Sequence, residues 1–155
     1  MTAAAQVEVD VEDVSGSPGN PSEAQFQRWT AAAFAGRRDP VEVSIRIVGE
    51  AEGTALNARY RGKTGPTNVL SFPAELPAGV PLPTVGDLVI CAPLVAREAQ
   101  AQGKLPAAHW AHLTVHGCLH LIGYDHEQEA EATEMEALET EILAGLGFPD
   151  PYTPR

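Results

Sequence analysis

The run His116-Gly117-Cys118-Leu119-His120-Leu121-Ile122-Gly123-Tyr124-Asp125-His126 constrains this chain more than any other stretch. On a helix, His116 and His120 sit one turn apart, about 40° around the axis and roughly 6 Å along it, so both imidazoles leave the same face. Gly123 ends such a helix, because a clean stop needs a residue tolerant of positive φ, and the reversed chain can bring His126 back toward the same point. Three neutral imidazoles on one side leave the fourth position of a tetrahedral ion open, as catalytic zinc sites do and closed structural sites do not. The rest of the helix, predicted over Ala107–Ile122, carries Trp110, Leu113, Val115, Cys118, Leu119 and Ile122. A helix this apolar must be central to the fold, with one metal-binding face turned outward.

Two other histidines compete for the ion. His109, His112, His116 and His120 share one helical stripe, but His112 to His120 spans about 12 Å of rise, so one ion cannot take both together with His116. The pair followed by a turn and a third histidine is 116/120, which leaves His109 and His112 as packed or hydrogen-bonded neighbours. Cys118 points to the far side of the helix and reads as a small core residue. The spacing His-x-x-x-His-x-x-Gly-x-x-His copies the metal cage of the metzincin peptidases. In His-Glu-x-x-His enzymes, however, the glutamate after the first histidine is the general base, and here that position is Gly117.

With 155 residues the chain is expected to form one domain, 1–155 with a C-terminal tail from about 148, burying close to 70% of its unfolded surface. Cys91 and Cys118 both sit in apolar runs and read as reduced, buried thiols. Met1-Thr2-Ala3-Ala4-Ala5-Gln6 lacks the basic and apolar regions of a signal peptide, and no apolar run approaches about 18 residues, so a soluble cytoplasmic protein is expected. The formal charge of −11 opposes indiscriminate binding to DNA, RNA or an anionic membrane. It is unevenly spread. Residues 125–155 hold nine acids against Arg155 alone, whereas residues 35–72 hold six bases and four acids, with Arg59, Arg61 and Lys63 at alternate positions. A polyanion is thus accepted at one place and repelled elsewhere.

Val7, Val9 and Val11 alternate with acids, as do Val41, Val43, Ile45 and Ile47 with polar residues, which predicts two half-buried strands. Between them Ser22-Glu23-Ala24-Gln25 fits a capping box for a helix with Phe26, Trp29, Ala33 and Phe34 inward and Gly36 at its end. Residues 50–60 suit a short helix on Ala51, Ala55, Leu56 and Tyr60, weakened by Gly53. Arg61–Asn68 reads as a loop leading to a strand at Val69-Leu70-Ser71-Phe72 that Pro73 ends. Four prolines between 73 and 83 predict an extended excursion, and Val85–Cys91 a strand at the sheet edge bordering the cleft. Helices over Pro93–Gln102, with Leu94, Val95 and Ala99 inward, and Glu127–Leu146, with Met135, Leu138, Ile142 and Leu146 inside and glutamates outside, complete the pattern. The fold class is α+β: a mixed sheet of about four strands covered by helices, with one central metal-binding helix.

The metal run, Tyr60-Arg61-Gly62-Lys63, Pro66-Thr67-Asn68-Val69-Leu70-Ser71-Phe72-Pro73, Gly86-Asp87-Leu88-Val89-Ile90 and Met135-Glu136-Ala137-Leu138-Glu139 together resemble the bacterial YbeY family of rRNA maturation factors. The resemblance spans residues 40–152 and implies a zincin-like fold. It also implies a single-strand-specific, zinc-dependent endoribonuclease acting in 3′-end maturation of 16S rRNA and late-stage 70S ribosome quality control. By position it assigns one Zn2+ to His116, His120 and His126 and the required arginine to Arg61. Its implied partners are single-stranded RNA, the ribosome or small-subunit proteins, and an assembly GTPase, with no DNA and no membrane. Arg59, Lys63, Asn68 and Ser71 are the expected substrate contacts. Two other readings stay open at this point: a ribosome-assembly binding factor with a mainly structural zinc, and a metallopeptidase, against which Gly117 argues. The residues do not name a general base for phosphodiester cleavage.

Overall fold

A computed structural model describes residues 6–36, 40–74, 84–124 and 128–152. In chain order these form β1 (Val7–Asp13), α1 (Glu23–Ala33), β2 (Val41–Val48), α2 (Glu50–Arg61), β3 (Val69–Pro73), β4 (Thr84–Cys91), α3 (Ala92–Ala101), α4 (Pro106–Leu121) and α5 (Glu129–Gly145). The strands make one mixed sheet in the order β1-β2-β4-β3. β1, β2 and β4 run parallel, and β3 is antiparallel to β4. β4 is therefore an inner strand, in contrast to the edge position expected from its place in the chain. The polypeptide leaves β2 through α2, lays down β3 one strand further out, and returns to fill the gap. The edge falls to β3, where a terminal Pro73 costs no inner ladder bond. The proline-rich excursion lies outside the described residues, apart from Pro73.

The capping box at Ser22 forms as the sequence requires: its hydroxyl accepts from the Gln25 N–H while the Gln25 side chain accepts from the Ser22 N–H. α1 then drives Phe26 and Trp29 into the core, where Phe26 meets Trp29 and Trp110 edge-on at 5.5 and 5.9 Å. Alternation in β2 and β4 turns Val43, Ile45, Ile47, Leu88 and Ile90 to the same face, each at most 2% exposed. Each such side chain contributes about 1.5–3 kcal/mol by leaving water. α4 crosses this face between α1, α3 and α5, and it is the central helix expected of so apolar a sequence.

α2 packs against the opposite face of the sheet, by a stripe other than the expected one. Its buried residues are Gly53 and Asn57, whereas Ala51, Ala55 and Tyr60 are exposed. The cause is close approach: a Cβ on Gly53 would lie 3.2 Å from the Cys91 sulfur. Asn57 then donates to the Gly65 carbonyl at 2.8 Å and closes the loop after the helix. α5 meets expectation in part: Met135 is buried and Leu138, Ile142 and Leu146 pack against the core. Leu143 and Glu139 are buried beside them, so one glutamate is inside with 0% exposure. Among the described residues no helix is long and apolar enough to cross a membrane.

Candidate active site and metal centre

α4 delivers the two helical histidines as the i, i+4 rule requires, and Gly123 ends the turn after it at φ +100°. The Nε2 atoms of His116 and His120 face each other at 3.0 Å. The opposite nitrogens are spoken for. His120 Nδ1 lies 2.9 Å from the Tyr124 carbonyl, which can only accept, so the proton belongs on Nδ1. His116 Nδ1 meets the Glu139 carboxylate, and the same reasoning puts its proton there. Both neutral rings then turn an Nε2 lone pair to one point, and two lone pairs so close repel unless a proton or a cation lies between them. The donor set fits a metal ion. His126, the third expected ligand, lies outside the described residues.

Glu139 is the residue that sequence reasoning missed. Burial by itself would raise its pKa, but the nearby His112 and hydrogen bonds from His116 and from the Tyr152 hydroxyl overcome that and hold it at about 2. Tyr152 is correspondingly raised, by its own burial and by the adjacent carboxylate. His112 Nε2 approaches the same carboxylate at 3.7 Å and the Tyr152 hydroxyl at 3.2 Å. A carboxylate holding the outer nitrogen of a metal-binding histidine fixes its tautomer and raises its basicity. His112, His116 and Glu139 also have one donor atom each within 4.8 Å of one another and could themselves hold a metal. That cluster is less open, since Glu139 is fully buried and both of its oxygens already accept hydrogen bonds. The available signal was the spacing Met135, Glu139, Leu143, a carboxylate in the middle of an apolar stripe.

His109 is buried, as expected of a packed histidine, and its Nε2 meets Glu98 at 2.9 Å. Burial lowers its pKa despite that partner. Glu98 also accepts from Asn68 at 3.1 Å, so Asn68 is held at the start of β3 by a carboxylate on α3. Cys118 is fully buried, and burial pushes its thiol up to about 12, which suits an inert core residue.

Arg61, Lys63, Asn68 and Ser71 line a cleft of about 860 Å³ together with His116 and His120. Arg59 does not line it; its guanidinium lies over the Tyr60 ring, 5.3 Å from the centroid. A groove of about 910 Å³ between α1, α4 and α5 is slightly larger, but it is rimmed by Glu131, Glu134 and Glu141, and among the described residues no histidine or arginine lines it. The facing histidine pair lies in the first cleft. Ser71 donates to the Gly117 carbonyl at 3.1 Å, which ties β3 to α4.

Gly117 does more than omit a peptidase base. A Cβ there would lie 2.8 Å from Leu88 Cδ2 and 3.3 Å from Ser71 Oγ, so the helix meets the sheet where nothing larger than hydrogen fits. A glutamate at this position would point into the sheet. Gly117→Ala gains up to about 1 kcal/mol of helix propensity but overpacks a fully buried Leu88 at a cost of about 1–3 kcal/mol. The expected outcome is net destabilisation, read as a lower midpoint in urea unfolding; a raised midpoint would show that Leu88 has room to move.

The family model described as Endoribonuclease YbeY matches residues 13–147. The chain belongs to this family. An Endoribonuclease YbeY of Xanthomonas euvesicatoria pv. vesicatoria (strain 85-10) is 61% identical over 138 residues, covering 86% of each chain. Another, of Alkalilimnicola ehrlichii (strain ATCC BAA-1101 / DSM 17681 / MLHE-1), is 60% identical over 86% of this chain and 83% of its own. The solution structure of TM1509 from Thermotoga maritima superposes with a TM-score of 0.53 over 96% of this chain and 99% of that one; at 22% identity it supports the fold alone. The YbeY resemblance drawn from the motifs thus holds over nearly the whole chain.

Proposed function

We propose that this chain is a zinc-dependent endoribonuclease that cuts single-stranded RNA in 3′-end maturation of 16S rRNA and in late-stage 70S ribosome quality control. Membership in the endoribonuclease YbeY family makes it an RNA-cleaving hydrolase of rRNA processing. The observation that carries the finer reading is the pair of Nε2 atoms converging at 3.0 Å in a cleft that also takes in Arg61 and Lys63. In this reading His116, His120 and His126 hold one ion, and nitrogen donors of this kind suit zinc. When bound, zinc supplies Lewis acidity toward water and toward a phosphoryl oxygen.

The remaining work falls to side chains of the chain. Arg61 presents a planar fork that matches two phosphate oxygens and stabilises the extra negative charge of the transition state. Lys63 and Arg59 neutralise flanking phosphates without reading bases. Asn68 and Ser71, one on a carboxylate and one on the metal helix, keep the β3 wall of the cleft in register with the histidines. Few cations serve the substrate on a chain of net charge −11, so a ribosomal protein or assembly GTPase that delivers the RNA end would raise its effective concentration at the cleft.

The test is metal content and cleavage together. One zinc per chain is expected, lost in His116→Ala and His120→Ala and kept near the wild-type level in His112→Ala. Cleavage of single-stranded RNA should stop with a chelator and return with zinc. Loss of the metal in His112→Ala but not in His120→Ala would move the ion to the His112, His116 and Glu139 cluster. Cleavage indifferent to chelation would overturn metal dependence.

A further inference from the structure

Tyr60 is among the most exposed large hydrophobic residues described, at 54%, although it lies in the last turn of a helix whose apolar side chains had the option of burial. It is held upright. Its ring packs edge to face with Phe72 of β3, with centroids 5.0 Å apart and planes at 73°. Tyr60 and Phe72 line both the metal cleft and a second cavity of about 600 Å³ on the α2 face of the sheet, so the pair forms the ridge between the two. The flat guanidinium of Arg59 already lies over the Tyr60 ring, which shows that the ring is within reach of a planar group.

We propose that this ridge is a base-stacking subsite: the Tyr60 ring, braced by Phe72, receives an unpaired nucleobase of the RNA strand whose backbone runs through the cleft beside Arg61 and Lys63. This rests on the endoribonuclease reading and deepens it. A base arriving on Tyr60 displaces the Arg59 guanidinium, which is then available to the next phosphate. Stacking suits this protein for an electrostatic reason. At a net charge of −11 few phosphate contacts are on offer, whereas stacking of a neutral base is not opposed by the surrounding acids. The second cavity beyond the ridge carries Asp10, Glu12, Glu52 and Asp87 against Arg46, which is already paired with Glu12 and Glu52, and this excess of carboxylates disfavours phosphate there. The backbone is therefore kept on the cleft side while the base turns outward. A duplex cannot present a free base face to a protruding ring, so the subsite selects single strands.

The experiment measures binding of a fluorescently labelled ten-nucleotide single-stranded RNA by anisotropy, with cleavage followed in parallel, for wild type, Tyr60→Ala and Tyr60→Phe. Each nucleotide in turn is replaced by an abasic one. Tyr60→Ala is expected to weaken binding about tenfold, within the range that stacking on an aromatic residue gives, and to raise KM more than it lowers kcat. Tyr60→Phe, which keeps the ring, should recover most of the loss. One abasic position should weaken wild type by the same factor and leave Tyr60→Ala unchanged, the coupling expected of two groups in contact. Weak binding to a duplex of the same sequence should not differ between wild type and Tyr60→Ala. If wild type binds and cleaves while Tyr60→Ala matches it, or while no abasic position couples to Tyr60, the subsite is wrong and the endoribonuclease reading stands. If wild type neither binds nor cleaves single-stranded RNA, both fall.

Discussion

Arg61→Ala is expected to lower turnover of single-stranded RNA by two to three orders of magnitude while zinc content and the unfolding midpoint stay at their wild-type values. The size follows from the role: a donor aimed at charge that develops in the transition state is worth about 3–4 kcal/mol. Arg61 ends α2, lines the cleft with His116 and His120, and is exposed, so its removal opens no hole in the core. Arg61→Lys should recover little, because one ammonium cannot reproduce a two-pronged contact. Rates would be compared under single-turnover conditions, where an interaction made only in the transition state lowers kcat and kcat/KM equally. A rate within a few-fold of wild type for Arg61→Ala would return the residue to the solvated surface.

Glu139→Gln is expected to weaken zinc binding by about ten- to a hundredfold, the usual cost of removing the group that orients a metal-binding histidine. The amide keeps the shape of the carboxylate, but its NH2 must face either the His116 Nδ1–H or the Tyr152 O–H, so one of these two donors now meets a donor. Competition against a chelator of known affinity measures the loss without reference to cleavage. Stability should report the same change. The carboxyl is held at about 2, below its ordinary 4.5, so its ionised form stabilises the fold above pH 4.5 and that contribution disappears as pH falls toward 2. A shift of this size corresponds to about 3 kcal/mol at most. The gap between wild type and Glu139→Gln should therefore be widest near neutrality and narrow on acidification. A gap independent of pH would mean that Glu139 acts by packing alone.

Much of the fold was legible because its signals are local. Period-2 alternation marked β1 and β2, short apolar runs bounded by loop residues and prolines marked β3 and β4, and the Ser22 capping box marked the start of α1 to within a residue. The inward face of α2 and the buried glutamate of α5 were not legible, for a shared reason. Apolar periodicity names the residues that prefer burial, but Gly53 and Glu139 are inside because of what they touch, a cysteine on β4 in one case and two histidines and a tyrosine in the other. Chain order likewise suggested that β4 was the edge. Only strand pairing sets that order, and β3 takes the outer place.

By itself the sequence determined a helix with imidazoles one turn apart, a glycine stop after it, the absence of a peptidase base at Gly117, and a basic triplet separated from it by more than fifty residues. These follow from helix geometry and residue type, which act within a few positions along the chain. Tertiary structure alone decided which nitrogen of each histidine holds its proton, because the partners that decide it are the Tyr124 carbonyl and a Glu139 carboxylate 23 residues away. It alone brought Arg61 and Lys63, but not Arg59, into the cleft with His116 and His120, and it left Tyr60 standing on the rim. Contacts between distant segments depend on how the sheet and helices pack around one core, and no short-range periodicity encodes that.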